Sequence, residues 1–463
     1  MTLLILLLYA VLLIAVGIRQ PRNGAAGFFF ASHKLGPLWV GVTLTASWVG
    51  AASTLVTLQQ AAASGYAALW VMAVPTLLTL MVFFFLTGTI RNHGFTTLPR
   101  LIRKVYGRRV TSVAAGLIFI YLILLTSSQF VAWGHFLKAM LNLPYAAAVL
   151  GGAVLVCAYS AAGGFFAVVR TDGVQLLLLG VALTVMFLIV GQGAGEPVSH
   201  GLTRFLAAAG EYGLMVFSFT LAWVISPVVW QRVAAARTAH SARMGILIAA
   251  AAVSVLYLMV IPTGMALGPA ASTDGEVLAG LQLALPLWAG SLVFLGLGSA
   301  ILSTADTALN LAAMTLSLDL FETGKSNSLP GARWGTLVAA GLSAAAALRL
   351  PSILQTLGVA SEIMAAGLFV PGMAALFLSR PCPRAGAVSL MAGGGFALLS
   401  SMNAFGLPLS LPRWPASLPW GLGLSIVGFL CGYARDRRRH RPASESASGA
   451  RTGNGDDRSL SGE

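Results

Sequence analysis

Charge is the scarcest property of this 463-residue chain: only 9% of it is Asp, Glu, Lys or Arg. A water-soluble domain carries about 25%, so a soluble globular protein is excluded. Acids are rarer than bases, 14 against 28. Cys157, Cys382 and Cys431 lie far apart, with neither a disulfide framework nor a metal-ligand spacing. The six histidines fall mostly in loops or near the ends of apolar runs, and none is paired at ligand spacing. No nucleophile motif accompanies them, so no catalytic residue emerges and an enzyme is not expected.

What is abundant is apolar sequence, 57% of the chain. The runs are continuous rather than alternating, which excludes a β-barrel and predicts an all-α polytopic membrane protein. Thirteen candidate spans can be drawn, at about 2–18, 38–62, 67–88, 111–138, 145–162, 173–193, 212–230, 245–267, 285–317, 334–349, 353–378, 385–402 and 418–433. The net charge of +14 does not indicate nucleic acid, because the bases gather in alternate loops. With the N-terminus outside, the cytoplasmic loops hold Arg19, Arg22 and Lys34, the run Arg91 to Arg109, Arg170, then Arg232, Arg237 and Arg243, then Lys325, Arg333, Arg380 and Arg384. Only Lys138, Arg204, Arg349 and Arg413 lie opposite. Residues 2–18 lack a preceding basic segment and read as an uncleaved first span. Residues 1–433 form the transmembrane domain. Residues 434–463 begin RDRRRHR and turn polar, a disordered cytoplasmic tail that anchors topology or touches anionic headgroups.

The run from Leu297 to Asp319 carries polar groups where hydrocarbon should surround it. At 100° per residue, Ser299, Ser303, Asp306 and Asn310 share one face, flanked by Thr304 and Thr307. Such a stripe must face a protein interior or a watery cavity. Two spans look interrupted: span 2 at Gly50 to Thr54, and span 7 at Ser226-Pro227. Spans 2–6 and 7–11 make two blocks of five, so the second is inverted relative to the first. Inverted repeats opening with a broken helix are a secondary-transporter pattern, although Gly and Ser also serve ordinary helix contacts.

Several segments together resemble the sodium:solute symporter family, which has the LeuT-type fold with a 5+5 inverted repeat. They are YAVLLIAVGI with GFFFASHKLGPLWVG (Tyr9–Ile18, Gly27–Gly41), AYSAAGGFFAVVRTDGVQ (Ala158–Gln175) and SPVVWQRVAAAR (Ser226–Arg237). SAILSTADTALN with Leu318-Asp319 and FVPGMAALFLSR complete the set, in order, over residues 1 to about 435. The resemblance implies a sodium site where the broken span 2 meets span 9. Gly50, Ser53 and Ala300 would offer carbonyls there, and Ser303 and Thr304 hydroxyls. Helix–helix hydrogen bonding is the plainer role for those hydroxyls. Asp172 resembles an aspartate on the sodium exit route; it would also serve as an N-cap for span 6.

Asp306 lies one turn beyond Ser303 and needs a cation or a strong donor, either a transported ion or Asn310 and nearby hydroxyls. Glu362 is a further intramembrane acid, with Arg349 as a conceivable partner. Both are possible ion or proton groups. By resemblance the substrate would face Thr57, Gln60, Gln129, Phe219 and Trp223. Sugar-transporting members carry acidic and amide residues about where Val56 and Thr57 stand, and proline-transporting members an acid where Ala52 stands. Neither substrate fits well.

The implied function is sodium-coupled symport of a small polar organic solute (an amino acid, monocarboxylate or vitamin-like compound) by alternating access. A proton-coupled transporter using Asp306 or Glu362 stays open, as does a transporter-like sensor, though a sensor usually carries a signalling domain after its spans. No cofactor is implied beyond Na⁺ as coupling ion. The expected partners are the solute, Na⁺ and the bilayer, with no nucleic acid and no obligate protein. The expected location is the cell (inner or plasma) membrane, multi-pass.

Overall fold

The computed structural model describes residues 8, 9, 11, 12 and 15, and residues 35–439 apart from 95–96, 194–197, 272, 322–328, 379 and 408. Most of the first span and all of residues 440–463 therefore lie outside the described residues. Among those described the chain is helical throughout. The one β-type contact is a parallel bridge of Leu35 with Ala236.

In chain order the helices are α1 (Pro37–Trp48), α2 (Thr57–Ser64), α3 (Ala73–Asn92), α4 (Leu98–Tyr106), α5 (Arg108–Leu141), α6 (Tyr145–Ile189), α7 (Val198–Val224) and α8 (Pro227–Ala235). They continue as α9 (Ala239–Leu267), α10 (Asp274–Ala284), α11 (Leu287–Met314), α12 (Leu329–Arg349), α13 (Ile353–Glu362), α14 (Val370–Phe377), α15 (Pro383–Ser389), α16 (Gly395–Ser401) and α17 (Leu418–Arg439). The short helices α4 and α10 fall in stretches that the sequence reading left as connections. The last helix runs past residue 433, the expected end of the membrane domain.

Among the described residues, seven helical stretches are long and apolar enough to cross a membrane by length and composition. Large apolar side chains such as Phe85, Leu177 and Leu258 lie exposed on their outer faces. Apolar surface of that extent is stable against hydrocarbon and not against water.

Two features position the site. First, α1 stops at Trp48, and the chain resumes through Ala51 and a π-helical turn (Ala52–Val56) into α2. Second, α7 ends at Val224, and Ser226 caps α8 by accepting from Val228 N. Proline at the first helical position suits that restart, because its missing N–H is one the helix could not have bonded. The two broken helices are tied at one end, where Leu35 N donates to Ala235 O and Arg237 N to Leu35 O. The long helix α6 kinks at Gly164, whose φ of 60° only glycine adopts without strain. Helices α5 and α11 are buried along most of their length and carry the groups that meet the breaks.

Candidate functional site

The break in the first helix leaves backbone groups without their usual partners, and side chains from α5 and α11 answer them. Val49 leaves the helical region with ψ at 78°. The Trp48 carbonyl accepts from Gly50 N at 3.1 Å and from Ser53 Oγ at 3.2 Å. The Gly50 carbonyl takes Thr54 N and, at 2.9 Å, Thr54 Oγ1. Ala51 N donates to Gln129 Oε1 at 2.9 Å, so an amide on α5 starts the second half of the helix.

Glycine is required at position 50. A Cβ there would collide with Thr304 Oγ1 of α11 and stand 2.7 Å from Gln129 Oε1. Thr304 Oγ1 is buried and has no hydrogen-bond partner. A buried hydroxyl against a broken helix, with neither its proton nor its lone pairs used, is the feature an oxygen-seeking cation fits.

Gly50, Ser53 and Thr304 line one cavity together with Trp48, Tyr121, Gln129, Trp223 and Ser226. Ser303 turns the other way. Its hydroxyl donates to Asp172 Oδ1 at 2.6 Å, and Thr43 Oγ1 donates to Asp172 Oδ2. Asp172 lies well inside the helix beyond the Gly164 kink and caps nothing. It bridges α1 and α11 instead. Ala300 is buried one turn before Thr304, outside the cavity lining.

Behind these groups sits a residue that the sequence reading counted among the cytoplasmic loop charges. Arg232, in α8, is fully buried. Restarting the broken helix at Pro227 places it on a segment packed against α1 and α11, which turns its side chain inward. Its Nη2 donates to Ser47 Oγ and, at 2.8 Å, to Thr307 Oγ1; its Nη1 donates to Gln231 Oε1 at 3.1 Å and to Val228 O at 3.3 Å. Phe165 lies 5.7 Å from the guanidinium carbon. The charges that act on Arg232 are those of Asp172 and Asp306. The sequence signal was there: an arginine inside the apolar run VVWQRVAA.

Asp306 is fully buried, and neither carboxylate oxygen has a hydrogen-bond partner. Asn310 does not supply one, since both atoms of its amide are also without partners. The Tyr159 hydroxyl beside Asp306 donates to Leu302 O at 3.1 Å. Glu362 is buried away from this cluster, while Arg349 is exposed at the end of α12. Neither Glu362 oxygen is bonded to Arg349 or to any other described residue.

The residues expected to face the solute divide. Gln129 and Trp223 line the cavity. Phe219 stands behind Trp223, stacked on it at 5.0 Å, and Trp223 meets Trp48 edge-on at 5.5 Å. Thr57 turns back to Ala52 O, and half-buried Gln60 lies outside the lining. Trp48 and Tyr121 line the cavity without any sequence signal, and Ser226, expected only as the break in span 7, does so too; Tyr121 and Ser226 join through their hydroxyls at 3.2 Å.

Residues 28–394 match the family model described as the Sodium:solute symporter family. The Sodium/glucose cotransporter of Vibrio parahaemolyticus is 25% identical over 472 residues, spanning 88% of this chain and 85% of that one. Sodium/myo-inositol cotransporter 2 of Homo sapiens is 27% identical over 303 residues, 56% of this chain and 44% of that protein. This chain therefore spans less than half of the human relative. A Na⁺-coupled sialic acid symporter, solved substrate-bound and outward-open, aligns with a TM-score of 0.75 at 15% identity, covering 94% of this chain and 98% of that one. A nucleobase-cation-symport-1 family transporter in a closed conformation gives a TM-score of 0.55 at 14% identity, covering 93% and 98%. At such identities the structural likeness carries the fold alone.

Proposed function

The chain belongs to the sodium:solute symporter family, and from that premise we propose the ion path and solute class of its symport. It is a multi-pass membrane transporter, not an enzyme, and sodium is its coupling ion. The solute is a small polar organic compound such as an amino acid, a monocarboxylate or a vitamin-like molecule. It sits among Gln129, Trp223, Tyr121 and Ser226, where aromatic walls flank a few polar groups.

Sodium binds between the break in the first repeat helix and α11. Gly50 and Ser53 offer carbonyls and Thr304 its hydroxyl, while Ser303 and Ala300, expected as further ligands, would join them only if α11 turns toward the break from its present contact with Asp172. Asp172 stands behind them on the exit path. Thirteen spans with the N-terminus outside arrange spans 2–6 and 7–11 as inverted repeats, which sets the two breaks near the midplane. Sodium joins α11 to the broken helix and favours the outward-open state. Solute favours the same state, and this shared preference couples the two ligands. The blocks then rock, and sodium leaves past Asp172.

The observation that carries this reading is the orphaned Thr304 hydroxyl against Gly50. The test is thermal unfolding of the purified protein in Na⁺ against equal K⁺, with Thr304→Ala and Ser303→Ala alongside. A ligand that binds only the folded state raises the midpoint by mass action. Sodium is expected to stabilise the parent and not the variants. Equal curves in the two salts, with a response to pH instead, would replace sodium by proton coupling.

A further inference from the structure

Glu362 stands apart from the cluster of Asp172, Asp306 and Arg232. It ends α13 at the start of a π-helical stretch (Ile363–Phe369), is 1% exposed, and has no hydrogen-bond partner at either carboxylate oxygen. Ser417, just before α17, is fully buried, and its hydroxyl also lacks a partner. Ser400, in α16, donates to Pro412 O at 2.7 Å and keeps its lone pairs. Both hydroxyls face the Glu362 carboxyl.

The helix packing supports that juxtaposition independently. Gly358 lies one turn before Glu362 on the same face of α13, and a Cβ there would come 2.5 Å from the Trp414 ring. Trp414 is three residues before Ser417. Its Nε1 donates to Ser218 Oγ at 3.0 Å, and its ring lies 5.4 Å from Phe219. The connection between α16 and α17 is therefore seated on the same face of α13 that carries Glu362.

A carboxylate buried without a partner is costly. Here oxygens from three segments converge on one point of the interior. Hard cations take such oxygens at about 2.3–2.6 Å. A single carboxylate balances one positive charge; a divalent ion would leave an uncompensated charge in the interior. We propose that Glu362, Ser400 and Ser417 form a sodium site separate from the one on α11. Bound there, the ion ties the Trp414 connection to α13 and so secures the row of Trp414, Phe219 and Trp223 beside the solute cavity.

The test is equilibrium binding of ²²Na⁺ to the purified full-length protein, with choline as the balancing cation. The double variant Ser303→Ala/Thr304→Ala is expected to keep one sodium component. Adding Glu362→Gln to it removes that component, and adding Ser417→Ala weakens it about tenfold, the effect of losing one ligand to a charge. The proposal is overturned if the double variant binds no sodium, or if Glu362→Gln leaves the remaining isotherm unchanged. Where Glu362→Gln does not yield monodisperse protein, Ser417→Ala decides, and an unchanged isotherm overturns the site. Failure of the α11 site reads differently, as the parent's isotherm persisting in the double variant.

Discussion

Arg232 Nη2 lies 2.8 Å from Thr307 Oγ1, so the restarted half of one broken helix is bonded to the helix that carries the ion-site hydroxyls. The same nitrogen reaches Ser47, one residue before α1 ends. One guanidinium thus joins both broken helices to α11. A movement of α8 relative to α1 must break or carry these bonds, so Arg232 is placed to register the state of the site.

Removing that charge should be severe. Asp172 and Asp306 would keep their positions in the interior and lose the cation that acts on both. Breaking a buried charge arrangement from one side costs about 3–5 kcal/mol. Arg232→Gln should therefore lower the thermal midpoint strongly and abolish sodium-dependent uptake in proteoliposomes. Arg232→Lys should recover part of the stability and little of the uptake, because a lysine cannot span Ser47, Thr307 and the Val228 carbonyl with one planar fork. Full uptake in Arg232→Lys would show that only the charge matters.

Gly50→Ala should fail for a steric reason. The added methyl would push apart Thr304 and Gln129, the two side chains that close the break. Overpacking of this kind costs about 1–3 kcal/mol, and the damage falls on the proposed ion site. The sodium concentration for half-maximal uptake should rise at least about tenfold. Trimming one of the colliding groups, as in Gly50→Ala/Thr304→Ser, should not restore it, since the hydroxyl remains in the way. Unchanged sodium dependence in Gly50→Ala would place the ion elsewhere.

Cys382 gives a pH signature away from the membrane interior. Burial, with the Asp436 carboxylate second, pushes its thiol from 9.0 up to about 11. The neutral thiol is the form the fold prefers, so its contribution is complete below pH 9 and is lost as pH rises toward 11. The parent should lose thermal stability across that window faster than Cys382→Ser, measured side by side. Parallel curves would refute it. The same thiol should resist maleimide at pH 8 in the folded protein, because the thiolate is the reactive form.

The polar stripe on α11 and both helix breaks were legible in the sequence because each violates a local rule. Hydroxyls and a carboxylate do not belong in hydrocarbon, and Pro227 lacks the backbone N–H that a helix interior uses. Arg232 was not legible by the same means. The positive-inside rule assigns an arginine near a span end to a loop, and the apolar run around it, the one contrary signal, does not say what it bonds; the packing of α8 does. The Asp172 contacts with Thr43 and Ser303 join residues 129 and 131 positions apart, and no periodicity within one span reports them. Thr57 and Ser303 were placed on the right helices, but the side chains turn to Ala52 O and to Asp172. A one-position rotation about a helix axis is about 100°, enough to exchange the cavity for the layer behind it.

Gln129 is where the two kinds of reading can be separated. From the sequence it faces the solute; in the fold its oxygen accepts from Ala51 N and its side chain also lines the cavity. The roles need different atoms. Holding the helix start requires an acceptor at Oε1, which a carboxylate also provides. Recognising solute requires the amide nitrogen, which a carboxylate lacks. Gln129→Glu keeps the acceptor but buries a carboxylate and loses the donation to Ser128 Oγ, so it should lower the thermal midpoint as well as raise the KM for the transported solute. Gln129→Leu removes the acceptor and leaves Ala51 N buried and unpaired, a cost of about 1–3 kcal/mol. It should lower the midpoint and raise the sodium requirement together, because the broken helix then loses the geometry that presents Gly50 to Thr304. If Gln129→Leu matched the parent in stability, the amide would not be holding the break. If Gln129→Glu matched it in KM, the amide nitrogen would not touch the solute.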